Sequence, residues 1–120
     1  MFQISNNEFK ILNLIKAFIF KVDNILENIP RKDIYYKDKT REILYKMLET
    51  VFNINYIDEN NLLLEYKMKL KSYIALIDFI LERLYNKKYI SENNLYKLGL
   101  DLIEINKMST AWVNSKCKLD

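Results

Sequence analysis

The sequence predicts an all-α fold, an up-down-up-down antiparallel four-helix bundle. The chain of 120 residues has one glycine, Gly99, and one proline, Pro30, so the turn residues that an all-β fold requires are scarce. Half of the residues are hydrophobic. Apolar positions recur at alternating steps of three and four, the period of helices packed side by side. The length fits a single domain covering residues 1–120.

A first helix is expected at about residues 7–28, with Ser5, Asn6 or Asn7 as the N-cap. Its apolar residues form a main line and a second line beside it: Leu12, Ile15, Ile19, Val22, Leu26 and Ile29, then Ile11, Phe18 and Ile25. This stripe is wider than one neighbouring helix needs. A core shared with two neighbours explains the width, and so does a subunit interface. Pro30 ends the helix because it cannot continue the hydrogen-bond ladder.

A second helix is expected at about residues 34–55 and a third at about residues 60–87. The apolar face of the second helix consists of Ile43, Leu44, Met47, Leu48, Val51 and Ile54. The third helix keeps the same three-four alternation from Leu63 to Leu84, over three heptads. In the connection between them, Asp58 is the expected N-cap and Glu59 is expected in the first turn, where a carboxylate favours the helix dipole.

The fourth helix is expected at about residues 91–115, with Ser91 as its N-cap. Gly99 lies inside this helix, where glycine costs about 1 kcal/mol relative to alanine. We expect a close approach between helices to explain it. Trp112 falls on the heptad seam, which indicates a core or interface position. After Asn114 the chain is expected to fray.

The segment Ile29–Met47 carries the densest positive charge. Its excess of cations over anions, three, equals the formal net charge of the whole chain, +3. Basic side chains on one helix face are typical of phosphate binding, although a solvated charged face gives the same pattern. The candidate nucleic-acid-binding residues are Arg31, Lys32, Lys37, Lys39, Arg41 and Lys46.

Catalytic constellations are missing from the sequence. The chain has no histidine, which removes the usual general base, the Ser-His-Asp triad and the Glu-x-x-His motif of di-metal bundles. The lone Cys117 has no histidine to activate it, and there is no phosphate-binding glycine loop. A carboxylate cluster could be drawn from Asp78, Glu82, Asp101 and Glu104, but their spacing favours exposed positions. We expect no enzyme activity, cofactor, metal or membrane span, and a cytoplasmic location.

Taken in order along the chain, several short motifs resemble the accessory variability proteins (Avd) of diversity-generating retroelements and similar Avd-like four-helix bundles. The resemblance covers roughly residues 8 to 115. The motifs are Ile29-Pro30-Arg31-Lys32, then Arg41, a third helix built on Leu70, Ile77, Phe79, Leu81 and Leu84, a turn ending in Ser91, and Ile103-Glu104-Ile105-x-Lys107-Met108-x-x-x-Trp112.

The resemblance implies a homopentameric ring that binds a reverse transcriptase and its template RNA or cDNA without being the catalyst. Phosphate contacts would come from Arg31, Lys32, Lys37, Lys39 and Arg41. The chain departs from the resemblance at Asp78 and Glu82, where the phage-type member of the family carries arginines on the third helix. The alternative is an oligomeric protein–protein interaction module without nucleic-acid binding, whose wide apolar face binds a partner helix.

Overall fold

The computed structural model describes residues 6–117, and four α-helices account for most of them. They are α1 (Asn6–Leu26), α2 (Ile34–Tyr56), α3 (Asn60–Asn86) and α4 (Glu92–Lys116). The predicted helix ends lie within two residues of these bounds. Over this part of the chain, none of the helices combines the length and the hydropathy that crossing a bilayer requires. The expected N-cap Ser5 lies outside the described residues.

The helices form an antiparallel bundle in which each packs against its neighbours in sequence and α1 packs against α4. Two contacts between α3 and α4 fix the direction: Lys67 reaches Asn114, and one turn later Lys71 reaches Asn106 at 3.0 Å. Residue numbers therefore rise along one helix as they fall along the other. The bundle measures 50 × 27 × 21 Å. The prediction of a four-helix bundle is confirmed.

The core is built from the heptad residues of all four helices. Both lines of the α1 stripe contribute, since Ile11 and Phe18 of the second line are as fully buried as Ile15 of the main line. The width of the stripe therefore serves a core shared by two neighbouring helices within one chain. Trp112 is also buried in this core. Each such side chain stabilises the fold by about 1.5–3 kcal/mol.

The N-termini of α3 and α4 are capped by side chains. At α4, Ser91 Oγ accepts from the Asn94 amide at 3.1 Å, as predicted. At α3 the predicted cap Asp58 is wrong, because Glu59 holds that position and accepts from the amides of Asn61 and Leu62 at 2.9 and 2.8 Å. Glutamate is one methylene longer than aspartate, but its carboxylate still reaches two free amides and complements the helix dipole.

The expected fraying after Asn114 is wrong for the residues that the structure describes. Helix α4 continues to Lys116, whose Nζ donates to the carbonyls of Ile54 and Asn55 at 2.6 and 3.0 Å. These carbonyls belong to the last turn of α2, where no amide within the helix is left to donate. The Ile54 carbonyl also accepts from the amide of Ile57, which follows the helix, at 3.4 Å. Cys117 follows and is buried. The ammonium group of Lys116, at the end of α4, therefore caps the C-terminus of α2. The spacing of residues along the sequence does not reveal this contact.

The explanation predicted for Gly99 is also wrong. A Cβ atom added at Gly99 would meet nothing within 4 Å, so no neighbouring helix approaches this residue closely. The glycine instead lines an open groove between α3 and α4.

Replacing Gly99 by alanine should therefore stabilise the protein. We expect Gly99→Ala to raise the free energy of unfolding by about 1 kcal/mol, because alanine has the higher helix propensity and the added methyl group meets open space. Urea unfolding followed by circular dichroism, at a protein concentration low enough to keep the chains apart, measures the change. The exposed Ala111→Gly on the same helix is the matched control and should lower stability by a similar amount. A less stable Gly99→Ala protein would contradict this account.

Candidate nucleic-acid interface

Three of the six candidate cations are paired with carboxylates on or beside α2. Lys46 Nζ lies 3.0 Å from Glu42 and Lys39 Nζ lies 3.9 Å from it. The hydrogen bond from Lys46 holds the pKa of Glu42 below its ordinary value, helped by the charge of Lys39, and it raises the pKa of Lys46. Both lysines therefore share one anion, which weakens their field toward solvent.

Arg41 is the third paired cation, and its partner is on another helix. Its Nε lies 2.7 Å from Asp23 Oδ1 in α1, so the guanidinium joins α1 to α2 near their connection. Both side chains are more than a third exposed, and such pairs contribute up to about 1 kcal/mol. Arg41 is therefore a bundle contact first, and a phosphate would have to compete with Asp23 for it.

The other three candidate cations have no ion partner among residues 9–117. Arg31 and Lys32 are exposed on a short 3-10 helix, Arg31–Asp33, between α1 and α2. This turn follows Pro30, whose extended backbone (φ −69°, ψ 160°) redirects the chain after α1. Lys37 follows one turn into α2 and is half-buried. The unpaired charge is therefore concentrated where α2 begins.

Carboxylates interrupt the outward face of α2 beyond this point. Asp38, Glu42 and Glu49 are exposed, and at 100° per residue they point away from the buried face of the helix. Lys46 and Arg41 then lie on opposite flanks of α2. The face therefore alternates acidic and basic groups and does not form a continuous basic strip.

A buried carboxylate joins the two connections at this end of the bundle. Asp33, in the turn before α2, accepts a hydrogen bond of 2.5 Å from the Tyr89 hydroxyl and lies 3.3 Å from Lys87 Nζ. The Tyr89 hydrogen bond is the main cause that lowers the pKa of Asp33, and it outweighs burial, which alone would raise the pKa. The hydrogen bond and charge of Lys87 and the charge of Lys32 lower it further. The hydrogen bond to Asp33 raises the pKa of Tyr89.

The contacts of Asp33 bring lysines from the turn after α3 to the connection between α1 and α2, which carries the unpaired cations. Lys87 is held by Asp33 and lies over the ring of Tyr36, 5.7 Å from its centroid. Lys88 is exposed and follows in a left-handed conformation, with φ 69°. We call the resulting cluster the basic end of the bundle: Arg31, Lys32, Lys87 and Lys88.

Sequence reasoning missed half of the basic end. Lys87 lies 56 residues beyond Arg31, and only the meeting of the two connections brings them together. The sequence feature that could have identified the missed half is the pair of adjacent lysines in the turn after α3. Tyr35 is exposed in the first turn of α2, as an aromatic group on the segment that follows Arg31 and Lys32, and Lys88 and Glu92 line the same surface pocket.

The acidic residues considered as a metal cluster do not come together. Within the part of the chain that the structure describes, no three histidine, cysteine or acidic side chains are placed to share an ion. Asp101 instead forms an ion pair with Lys21 of α1 at 2.9 Å.

Comparison with known proteins does not add to this geometry. No family model matches the chain, and no similar sequence is found among the curated proteins.

The Asp33 link should make stability depend on pH in a defined window. Because the pKa of Asp33 is lowered in the folded state, its contribution is present above the ordinary value of 3.8 and is lost as pH falls. Because the pKa of Tyr89 is raised, its contribution is present below 10.0 and is lost as pH rises. Asp33→Asn should therefore lower the free energy of unfolding most between these values, as urea unfolding across pH can measure.

The control is Asp38→Asn, an exposed carboxylate that makes no ion pair within the described residues. It should change stability by less than about 0.5 kcal/mol at any pH. A deficit of Asp33→Asn that is equal at neutral and at acid pH would contradict the role given to its charge.

Proposed function

We propose that this protein is a non-catalytic, nucleic-acid-binding accessory of a reverse transcriptase, similar to the Avd proteins of diversity-generating retroelements. In this proposal it captures template RNA or cDNA through positive charge at the basic end, with Lys37 beside it. The motifs that resemble the Avd family support the assignment, and the bundle fold agrees with them. The partner would be the reverse transcriptase, which performs the chemistry in the same compartment, the cytoplasm.

The observation that carries the proposal is the gathering of four cations from two connections at one end of the bundle. Arg31, Lys32 and Lys88 form no ion pair within residues 9–117, although the charge of Lys32 acts on Asp33, so a phosphate breaks no ion pair to reach them. Each phosphate that is neutralised releases condensed counterions, which makes binding strong at low salt and weak at high salt. The exposed ring of Tyr35 adds a surface on which an unpaired base can stack.

Arg41, Lys39 and Lys46 take a secondary role in this proposal. Their pairs with Asp23 and Glu42 are largely exposed and therefore weak, so a phosphate can exchange for a carboxylate at little cost. They would extend the contact along α2 after the basic end has bound.

The proposed assembly is a homopentameric ring, as the Avd resemblance implies. Five copies would present five basic ends to one RNA. Linked sites of this kind bind far more tightly than one site alone when a single ligand can reach several of them. This accounts for a modest net charge of +3 per chain in an RNA-binding protein.

Neutralising the basic end should weaken RNA binding. We expect Arg31→Gln/Lys32→Gln/Lys88→Gln to lower the affinity for a structured RNA about tenfold or more at low salt. The slope of log K against log salt should fall by about 3, because each substituted cation no longer neutralises a phosphate. Fluorescence anisotropy over a salt series measures both quantities, and circular dichroism checks the fold.

The matched control removes equal charge elsewhere, with Lys10→Gln/Lys16→Gln/Lys97→Gln at exposed positions of α1 and α4. Its affinity and salt slope should stay near those of the wild type. An equal loss in both variants would mean that RNA responds to net charge alone, and the basic end would not be the site. A wild-type protein that binds no RNA at low salt would refute the proposed function.

The second candidate function is a protein–protein interaction module without nucleic-acid binding. It is favoured by apolar side chains that remain exposed on α3 and α4, among them Phe79, Leu100 and Ile103. A mobility shift with structured RNA at two salt concentrations, together with light scattering for mass, separates the two functions. A protein that shifts RNA and has the mass of one pentamer or of two paired pentamers supports the first function, and a protein that shifts no RNA supports the second.

A further inference from the structure

The outer surface formed by α3 and α4 exposes apolar side chains that a single chain leaves uncovered. Phe79, Leu100 and Ile103 are 56%, 48% and 59% exposed, and Met68 lies further along α3 with 59% exposed. Their spacing follows the outward side of each helix at nearly whole turns. Covering one such side chain is worth about 1.5–3 kcal/mol. We call this surface the α3/α4 face.

A shallow groove runs along the middle of the α3/α4 face. It is lined by Ala75, Gly99 and Ile103, together with the buried Ile74 and Leu102. Ala75 and Gly99 are the two smallest kinds of residue, and the space in front of Gly99 is open. Small residues on a helix surface allow another helix to approach closely. The groove therefore has the shape that a packed helix requires.

Charges at the two ends of the groove have opposite sign. Asp78 lines one end and Glu82 follows one turn further along α3, and neither makes an ion pair with another described residue. Lys71 lines the other end, where Lys107 directly follows the lining residue Asn106 on α4. Lys71 donates to Asn106, a neutral partner, and Lys107 is exposed. At 1.5 Å per residue the two acidic groups and Lys71 lie roughly 5 to 10 Å on either side of Ala75.

We propose that the α3/α4 face binds the same face of a second copy of this chain across a two-fold axis near Ala75. A two-fold contact is isologous. If one residue of the first copy contacts a second residue of the other copy, the same two residues also contact each other with the copies exchanged. The antiparallel arrangement sets Asp78 and Glu82 of one copy opposite Lys71 and Lys107 of the other, twice. The apolar side chains of both copies are covered at the same time.

This charge pattern selects a second copy over other occupants. Nucleic acid is disfavoured because Asp78 and Glu82 would face its phosphates. A uniformly basic helix from another protein would satisfy the acidic end but would oppose Lys71 and Lys107. A two-fold copy satisfies both ends at once.

The proposal is independent of RNA capture, since the basic end contributes no residue to this face. It goes beyond the proposed ring as well. A two-fold contact joins two single chains or two rings, so breaking it halves the mass of the assembly in either case.

Light scattering after gel filtration tests the contact. We expect Phe79→Asp/Ile103→Asp to halve the mass of the wild-type assembly while circular dichroism stays unchanged, because both side chains are exposed in the single chain. Phe20→Asp, at an exposed aromatic residue of α1, is the control and should leave the mass unchanged. A wild-type mass that the double variant does not halve would overturn the proposal.

Charge reversal tests the two-fold arrangement. Asp78→Lys/Glu82→Lys and Lys71→Glu/Lys107→Glu should each halve the mass alone, because like charges then meet. Mixing the two variants in equal amounts should restore the wild-type mass, with one copy of each in every pair. No recovery on mixing would overturn the two-fold geometry. A monomeric wild type that instead binds a fluorescent leucine-lysine amphipathic peptide at this face would assign the face to another protein's helix and would also overturn it.

Discussion

The candidate site depends on the hydrogen bond and the ion pair that the buried carboxylate of Asp33 makes. It accepts from Tyr89 and faces Lys87, so it ties the connection before α2 to the turn after α3. A buried anion requires such partners, because a charge removed from water is otherwise strongly unfavourable. The same requirement brings lysines next to Arg31. The turn after α3, which supplies the partners of the buried Asp33 carboxylate, thus also adds lysines to the surface of the bundle.

The candidate cations in and before α2 fall into two groups. Arg41 joins α2 to Asp23 of α1, and Lys46 shares Glu42 with Lys39, so these charges are balanced where they stand. Arg31 and Lys32 precede the helix and form no ion pair with another described residue. Positive charge counted along the sequence therefore overstates the charge available to a ligand, and pairing decides which groups a phosphate meets first.

The basic end and the α3/α4 face share no residue. Helix α1 buries both lines of its stripe within one chain, whereas α3 and α4 leave Phe79, Leu100 and Ile103 exposed. Gly99 fits this distribution, since it opens the groove on that face without being needed for packing inside the bundle. Nucleic-acid binding at the basic end and self-association through the α3/α4 face can therefore operate together without competing for residues.

Sequence patterns predicted the four helices, their ends to within two residues, their buried faces and the cap at Ser91. These features are local, because heptad period and capping act over a few residues. The packing of the helices was needed to show that Arg41 is paired, that Lys87 contacts Asp33, and that Gly99 faces open space. Those outcomes depend on how far each helix is rotated and shifted against its neighbour, and the period along one helix leaves both quantities open.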